Sequence, residues 1–157
     1  MAEAAIGALS VRRCVPKGTV MGRYDGKRVV VTGGTSGIGL ATAQLLLGDG
    51  ARVLVTGSTD RSRDTAAAEL GGRAIAVKSD AASLTDIDGL VARAKAEFDF
   101  VDLLFVNAGI SRWEPFESTT EALYDEVLTV DAKGPYFTVQ KFVPLMAKGS
   151  AIVLTTW

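Results

Sequence analysis

From residue 27 onward, short apolar runs alternate with segments whose apolar residues recur every three or four positions. The runs at 27–32, 52–56, 74–78, 101–106 and 151–155 predict strands. The first helix, over 38–47, carries apolar Ile38, Ala41 and Leu45 at helical spacing and ends near Gly48 and Gly50. A short helix lies within 60–70 and stops at Gly71-Gly72, a C-cap signal. Ser83-Leu84-Thr85-Asp86 has capping-box form and opens a third helix, with Ile87, Leu90, Val91, Ala94 and Phe98 on one face. Ser118-Thr119-Thr120-Glu121 has the same form and opens a fourth. That helix is expected to bend or break near Gly134-Pro135 and to resume towards Met146.

Strands separated by helices imply a parallel sheet with right-handed crossovers. In such an α/β sheet the ligand sits beyond the C-terminal ends of the strands, at the switch point. The most informative local sequence stands at the first of these ends. Thr32 to Gly39 read T-G-G-T-S-G-I-G, fed by Val29-Val30-Val31 and leading into the first helix. Glycines let the backbone turn sharply and approach an anion. The unpaired N–H groups and the dipole of the new helix then attract negative charge. An ordinary strand-to-helix turn is the plainer reading, and the flanking strand and helix argue against it.

Spacing narrows the chemistry. Gly33, Gly37 and Gly39 form G-x-x-x-G-x-G, not G-x-G-x-x-G and not the G-x-x-x-x-G-K of a P-loop. No lysine follows to hold a terminal phosphate, which argues against nucleotide hydrolysis.

Composition removes further classes. A hydrophobic content of 48% in 157 residues fits one folded domain. With 17 basic and 18 acidic residues the net charge is −1, so no basic footprint for nucleic acid exists. The absence of histidine removes Ser-His-Asp and Cys-His chemistry and most zinc sites, so no metal is expected. The single cysteine, Cys14, rules out an internal disulfide and fits a reducing, cytoplasmic setting. No apolar run reaches membrane-spanning length. Residues 1–20 lack the basic-then-apolar order of a signal peptide, since Arg12 and Arg13 follow the weakly apolar 4–9 stretch. They are expected to be a disordered tail, or a mis-started one if translation begins at Met21.

With Thr32-Gly33 and Gly37-Ile38-Gly39 in place, the chain resembles the short-chain dehydrogenase/reductase family over residues 27–157. Asp80-Ala81 resembles its adenine-contacting aspartate segment, and Asn107-Ala108-Gly109 its N-A-G motif, with Val106 where a preceding asparagine is common. The resemblance implies a Rossmann-type doubly wound parallel sheet over 21–157, truncated after about five strands. It implies oxidoreduction between NADP or NAD and a small alcohol or carbonyl substrate, in a full-length form expected to be a homo-oligomer. The cofactor residues it implies are Thr32, Gly33, Ser36, Gly37, Ile38, Gly39, Ser58, Asp80, Ala81, Asn107, Ala108 and Gly109. Taken alone, Asp80 reads equally well as an aspartate of a loop before a helix.

At the end of the second strand a carboxylate would bond a ribose 2′-hydroxyl and repel a 2′-phosphate. That position is Gly57, followed by Ser58 and Thr59, and Arg61 and Arg63 are close in sequence. Asp60 weakens the case, and such arginines are commonly a solvated helix face. The balance leans slightly to NADP.

The family's chemistry uses a Tyr-x-x-x-Lys pair, a serine and an asparagine. Tyr24, Tyr124 and Tyr136 are followed four positions on by Arg28, Leu128 and Gln140, so the pair is absent. Asp131 holds the usual asparagine place, and it reads also as a helix-break residue capping the resumed helix. Trp157 falls at the serine place, so this chain is expected to supply no catalytic residue and to be inactive as a fragment. A non-catalytic dinucleotide-binding module is the alternative. An extended-type epimerase is disfavoured, because those enzymes show T-G-x-x-G-x-x-G.

Overall fold

The computed structural model describes residues 22–155. Expectations for residues 1–20, for Met21 and for Trp157 lie outside the described residues.

The chain forms β1 (Arg28–Thr32), α1 (Gly37–Gly48), β2 (Arg52–Gly57), α2 (Asp60–Glu69) and β3 (Ala74–Lys78). It continues through α3 (Leu84–Phe98), β4 (Val101–Val106), α4 (Glu121–Leu128), α5 (Gly134–Phe142) and β5 (Met146–Leu154). All pairings are parallel, in the order β3-β2-β1-β4-β5. This is the α/β, Rossmann-like parallel sheet that the alternation of strands and helices implies.

β1 runs through the middle of the sheet. Val29, Val30 and Val31 are fully buried because helices cover both faces, which is why the strand is apolar without alternation. Val29 and Val31 join Ala43, Leu46, Val53, Val55 and Leu70 in one core, on the side of α1 and α2. Val30 points the other way and joins Leu54, Leu90, Phe98, Leu104 and Phe142, on the side of α3 and α5. Successive strand side chains alternate between faces, so one valine run supplies both layers.

Four local expectations need correction. The stripe Ile38, Ala41 and Leu45 is the exposed side of α1, with Ile38 55% and Leu45 74% exposed. Gly39, Ala43 and Leu46 face the sheet instead. The helix is apolar around most of its circumference, so periodicity alone did not select a face. The fourth helix is capped by Thr120, which accepts from Leu123 N–H at 3.2 Å. Ser118 and Thr119 donate to the carbonyl of Pro115 at 3.2 and 3.1 Å, closing a 3₁₀ turn over Phe116–Ser118.

The helix then does not break at Gly134-Pro135. It widens into a π-helical turn over Thr129–Lys133 and continues as α5, with Pro135 at the second position of that segment. Finally, β5 starts at Met146 rather than at 151. A register shift between Val101 and Leu103 accommodates Gly149, whose φ is +90°. The polar Lys148-Gly149-Ser150 stretch hides this irregular start.

Candidate functional site

A cleft of about 530 Å³ opens beyond the C-terminal ends of β1, β2, β3 and β4. β1 and β4 are neighbours, and the helices that follow them pack on opposite faces of the sheet, so the two connections diverge and a crevice results.

The turn after β1 forms the floor. Gly33 has φ +64°, and an added Cβ would lie 2.8 Å from Ala108 Cα, so the backbones of the two loops touch where only glycine fits. Gly37 has φ +52° and faces open space. α1 begins here with no side-chain cap from Ser36 and no acidic residue in its first turn. The other helices that begin from loops differ. Thr59, Ser83 and Thr120 each accept a backbone N–H to cap α2, α3 and α4. The first N–H groups of α1 are therefore left for an anion in the cleft.

The wall after β4 is tied to this floor. Thr32 Oγ1 accepts the N–H groups of Asn107 and Ala108 at 3.0 and 3.1 Å. Asn107 Nδ2 donates back to the carbonyls of Thr32 and Gly33, each at 3.3 Å. On the opposite side, Gly34 N–H bonds the Thr56 carbonyl at 2.9 Å and Gly33 N–H bonds Thr56 Oγ1 at 3.2 Å.

Of the twelve residues named from the sequence, all but Thr32 and Gly39 line the cleft. Thr32 is buried, and Gly39 packs under the carbonyl of Gly33, so both hold the floor from behind. Asp80 lines the cleft and also does loop work. Its Oδ1 accepts Ala82 N–H at 2.9 Å, and its own N–H donates to Asp86 at 2.9 Å. Its other carboxylate oxygen accepts no bond among the described residues.

Beyond those twelve, Thr35 of the glycine turn and Gly57 at the end of the second strand line the cleft, and so do Thr56, Ser79, Ala82, Ile110, Glu126 and Val130, which were not anticipated. Thr56 and Ser79 were findable as residues at or just past strand ends. Glu126 and Val130 arrive only because α4 and the π turn fold back across the loop after β4. Asp131 makes that approach. Its Oδ1 accepts Ile110 N–H at 2.9 Å, so it pins this loop and caps no helix, which corrects the capping reading.

At the β2 end, an added Cβ on Gly57 would lie 2.5 Å from Ser62 Oγ and 2.7 Å from Thr35 Cγ2. A side chain there would have to displace Ser62 and Thr35, and exposed Ser58 borders the cleft beside it. Arg63 pairs with Asp60 and Asp64, each at 2.8 Å. Neither Arg61 nor Arg63 lines the cleft. The lining holds no lysine, arginine, tyrosine, histidine or cysteine. Attraction for a pyrophosphate would therefore come from backbone N–H groups and the dipole of α1. The residues present fit a dinucleotide: a glycine cradle, an uncapped helix start and an acceptor at Asp80.

The sequence model of a family described as short chain dehydrogenase matches residues 27–156. The oxidoreductase asL5 of Sarocladium schorii is 38% identical over 135 residues, 85% of this chain and 54% of that protein. The chain thus spans about half the length of the curated relatives it matches. Among solved structures, a short chain dehydrogenase from Burkholderia cenocepacia in complex with NADP superposes with TM-score 0.78 at 32% identity. The match covers 84% of this chain and 56% of that one. A 3-ketoacyl-(acyl-carrier-protein) reductase from Brucella melitensis complexed with NADH gives 0.74 at 30% identity, covering 78% and 51%.

Proposed function

We propose a function from one premise: the chain belongs to the short-chain dehydrogenase/reductase family, a family of oxidoreductases. The cleft binds a nicotinamide dinucleotide, and the whole protein uses it to interconvert an alcohol and a carbonyl compound. The observation that carries this reading is the uncapped start of α1 facing a cleft floored by Gly33 and Gly37.

The residues divide the work. The backbone from Gly33 to Ile38 holds the pyrophosphate, with Thr32 and Gly39 shaping it from behind. Asp80, with Ala81 beside it, accepts from the adenine amino group, and Ser58 borders the adenosine ribose. Asn107, Ala108 and Gly109 form the wall along the far end, held by Thr32 and, through Ile110, by Asp131. The bound dinucleotide supplies or takes up the hydride. NADP(H) is favoured slightly over NAD(H), since no acid stands at Gly57 or Ser58. The full-length form is a cytoplasmic homo-oligomer.

A second reading has its own support. No Tyr-x-x-x-Lys occurs in the sequence, and the cleft lining offers no tyrosine or lysine. On its own the 157-residue chain then binds dinucleotide without turning it over. General acid–base catalysis contributes ~10²–10⁴-fold, and no tuned donor is present to supply it.

Calorimetric titration with NADPH and NADH tests the binding. The parent chain binds, and Gly37→Val does not, because its side chain enters the open cleft and its φ is left-handed. Equal binding by the variant refutes the site. Substrate-dependent oxidation of NADPH by the parent, lost in Gly37→Val, would refute the non-catalytic reading.

A further inference from the structure

We infer that Asp60 sets the nucleotide preference of the cleft by withholding Lys78 from a ribose 2′-phosphate. The inference rests on the dinucleotide reading above.

Lys78 is the last residue of β3 and stands in register beside Gly57, at the end of β2 that borders the cleft. Its ammonium lies 3.2 Å from Asp60 Oδ2. The other oxygen, Asp60 Oδ1, lies 2.8 Å from the Arg63 guanidinium. One carboxylate therefore bridges Arg63 of α2 and Lys78, the residue in register with Gly57. The hydrogen bond from Lys78, then the charge of Lys78, hold the Asp60 carboxyl below its ordinary value against a small burial cost, so it is ionised at neutral pH.

The two cations are not equally releasable. Arg63 also pairs with Asp64 at 2.8 Å and stays neutralised without Asp60. Lys78 forms an ion pair with no other residue among those described. Removing the charge of Asp60 thus frees one flexible ammonium on the residue in register with Gly57, one position before Ser58. A 2′-phosphate is a dianion that competes with Asp60 for that ammonium, whereas a 2′-hydroxyl makes no such demand. Asp60 opposes NADP(H) and is neutral towards NAD(H).

The test titrates the 157-residue chain with NADPH and NADH at low ionic strength, comparing parent, Asp60→Asn and Asp60→Asn/Lys78→Met. Asp60 is exposed and Thr59 caps α2, so asparagine fits. Asp60→Asn is expected to bind NADPH about tenfold more tightly, the size of one charge-assisted hydrogen bond, with NADH unchanged. Adding Lys78→Met is expected to abolish the gain, since the cycle isolates the pair. No NADPH-specific gain, or a gain that survives Lys78→Met, overturns the inference and leaves dinucleotide binding standing. Failure of the parent to bind either nucleotide overturns the dinucleotide reading and this inference with it.

Discussion

The hydroxyl of Thr32 accepts the amide N–H of Asn107 at 3.0 Å, joining residues 75 positions apart at the junction of β1 and β4. The same oxygen accepts Ala108 N–H at 3.1 Å. Thr32→Val keeps the shape and removes the acceptor. Two N–H groups lose their partner where Asn107 is only 5% exposed. The expected loss is about 2–4 kcal/mol in urea unfolding, at ~1–3 kcal/mol for each unsatisfied group. Thr32→Ser is expected to recover most of it. Equal stability of parent and valine variant would show that the bonds are replaceable.

Ser58 is an exposed side chain that meets the cleft at the end of β2, next to Gly57, which has none. Ser58→Asp puts a carboxylate where a 2′-phosphate is expected. NADPH affinity should fall at least about tenfold while NADH affinity holds, from like-charge repulsion near the surface. Isothermal calorimetry decides. A parallel fall for both nucleotides would move the ribose away from Ser58.

Asp102 ties the start of β1 to β4. Its carboxylate accepts Arg28 N–H at 2.9 Å, Arg28 Nε at 2.7 Å and Lys27 Nζ at 3.4 Å. Burial pushes this carboxyl up, and the bonds and charges from Arg28 and Lys27 outweigh burial and hold it below its ordinary value of 3.8. A folded-state value below the unfolded one stabilises above pH 3.8 and is lost as pH falls through the folded value. Asp102→Asn should therefore cost about 1.5–3 kcal/mol at pH 7. The gap between variant and parent should shrink below pH 3.8, as read from denaturant midpoints. A gap independent of pH would mean that Asp102 acts by packing alone.

Among the described residues β5 is an outer strand, paired only with β4, and Val153 and Leu154 are 47% and 50% exposed. Leu154, together with Tyr136 at 65% exposure, Pro135 and Val139, borders a second, shallow groove. Open apolar strand edges recruit other strands. The 157-residue chain should self-associate at micromolar concentration, and Val153→Lys should shift it towards monomer. Light scattering showing a monodisperse monomer for the parent would contradict this.

Features carried by neighbours in the chain were legible in the sequence. Val29-Val30-Val31 followed by T-G-G-T-S-G-I-G specifies strand, turn and helix, because φ-permissive glycines act within one turn, whereas the absence of a cap from Ser36 is seen only in the structure. The Ser83–Asp86 cap and the glycine stop after α2 are equally local. The parallel sheet followed from alternation, since a parallel pair needs a crossover.

Tertiary structure decided what depends on partners distant in sequence. Ile38, Ala41 and Leu45 looked like a core stripe, yet Gly39 faces inward, because only glycine passes beneath the carbonyl of Gly33. Gly57 stands where the second strand meets the cleft, and the side chains of Thr35 and Ser62 close in on the space a Cβ would take. Glu126 and Val130 reach the cleft, and Asp131 pins Ile110, only after a π turn folds α4 across the loop. Lys78 and Asp60 meet because β3 lies beside β2. Propensity, caps and turns are set within a few residues of backbone. Which surface of an apolar helix packs, and which charges meet at a strand end, is settled by close packing between segments that the chain keeps far apart.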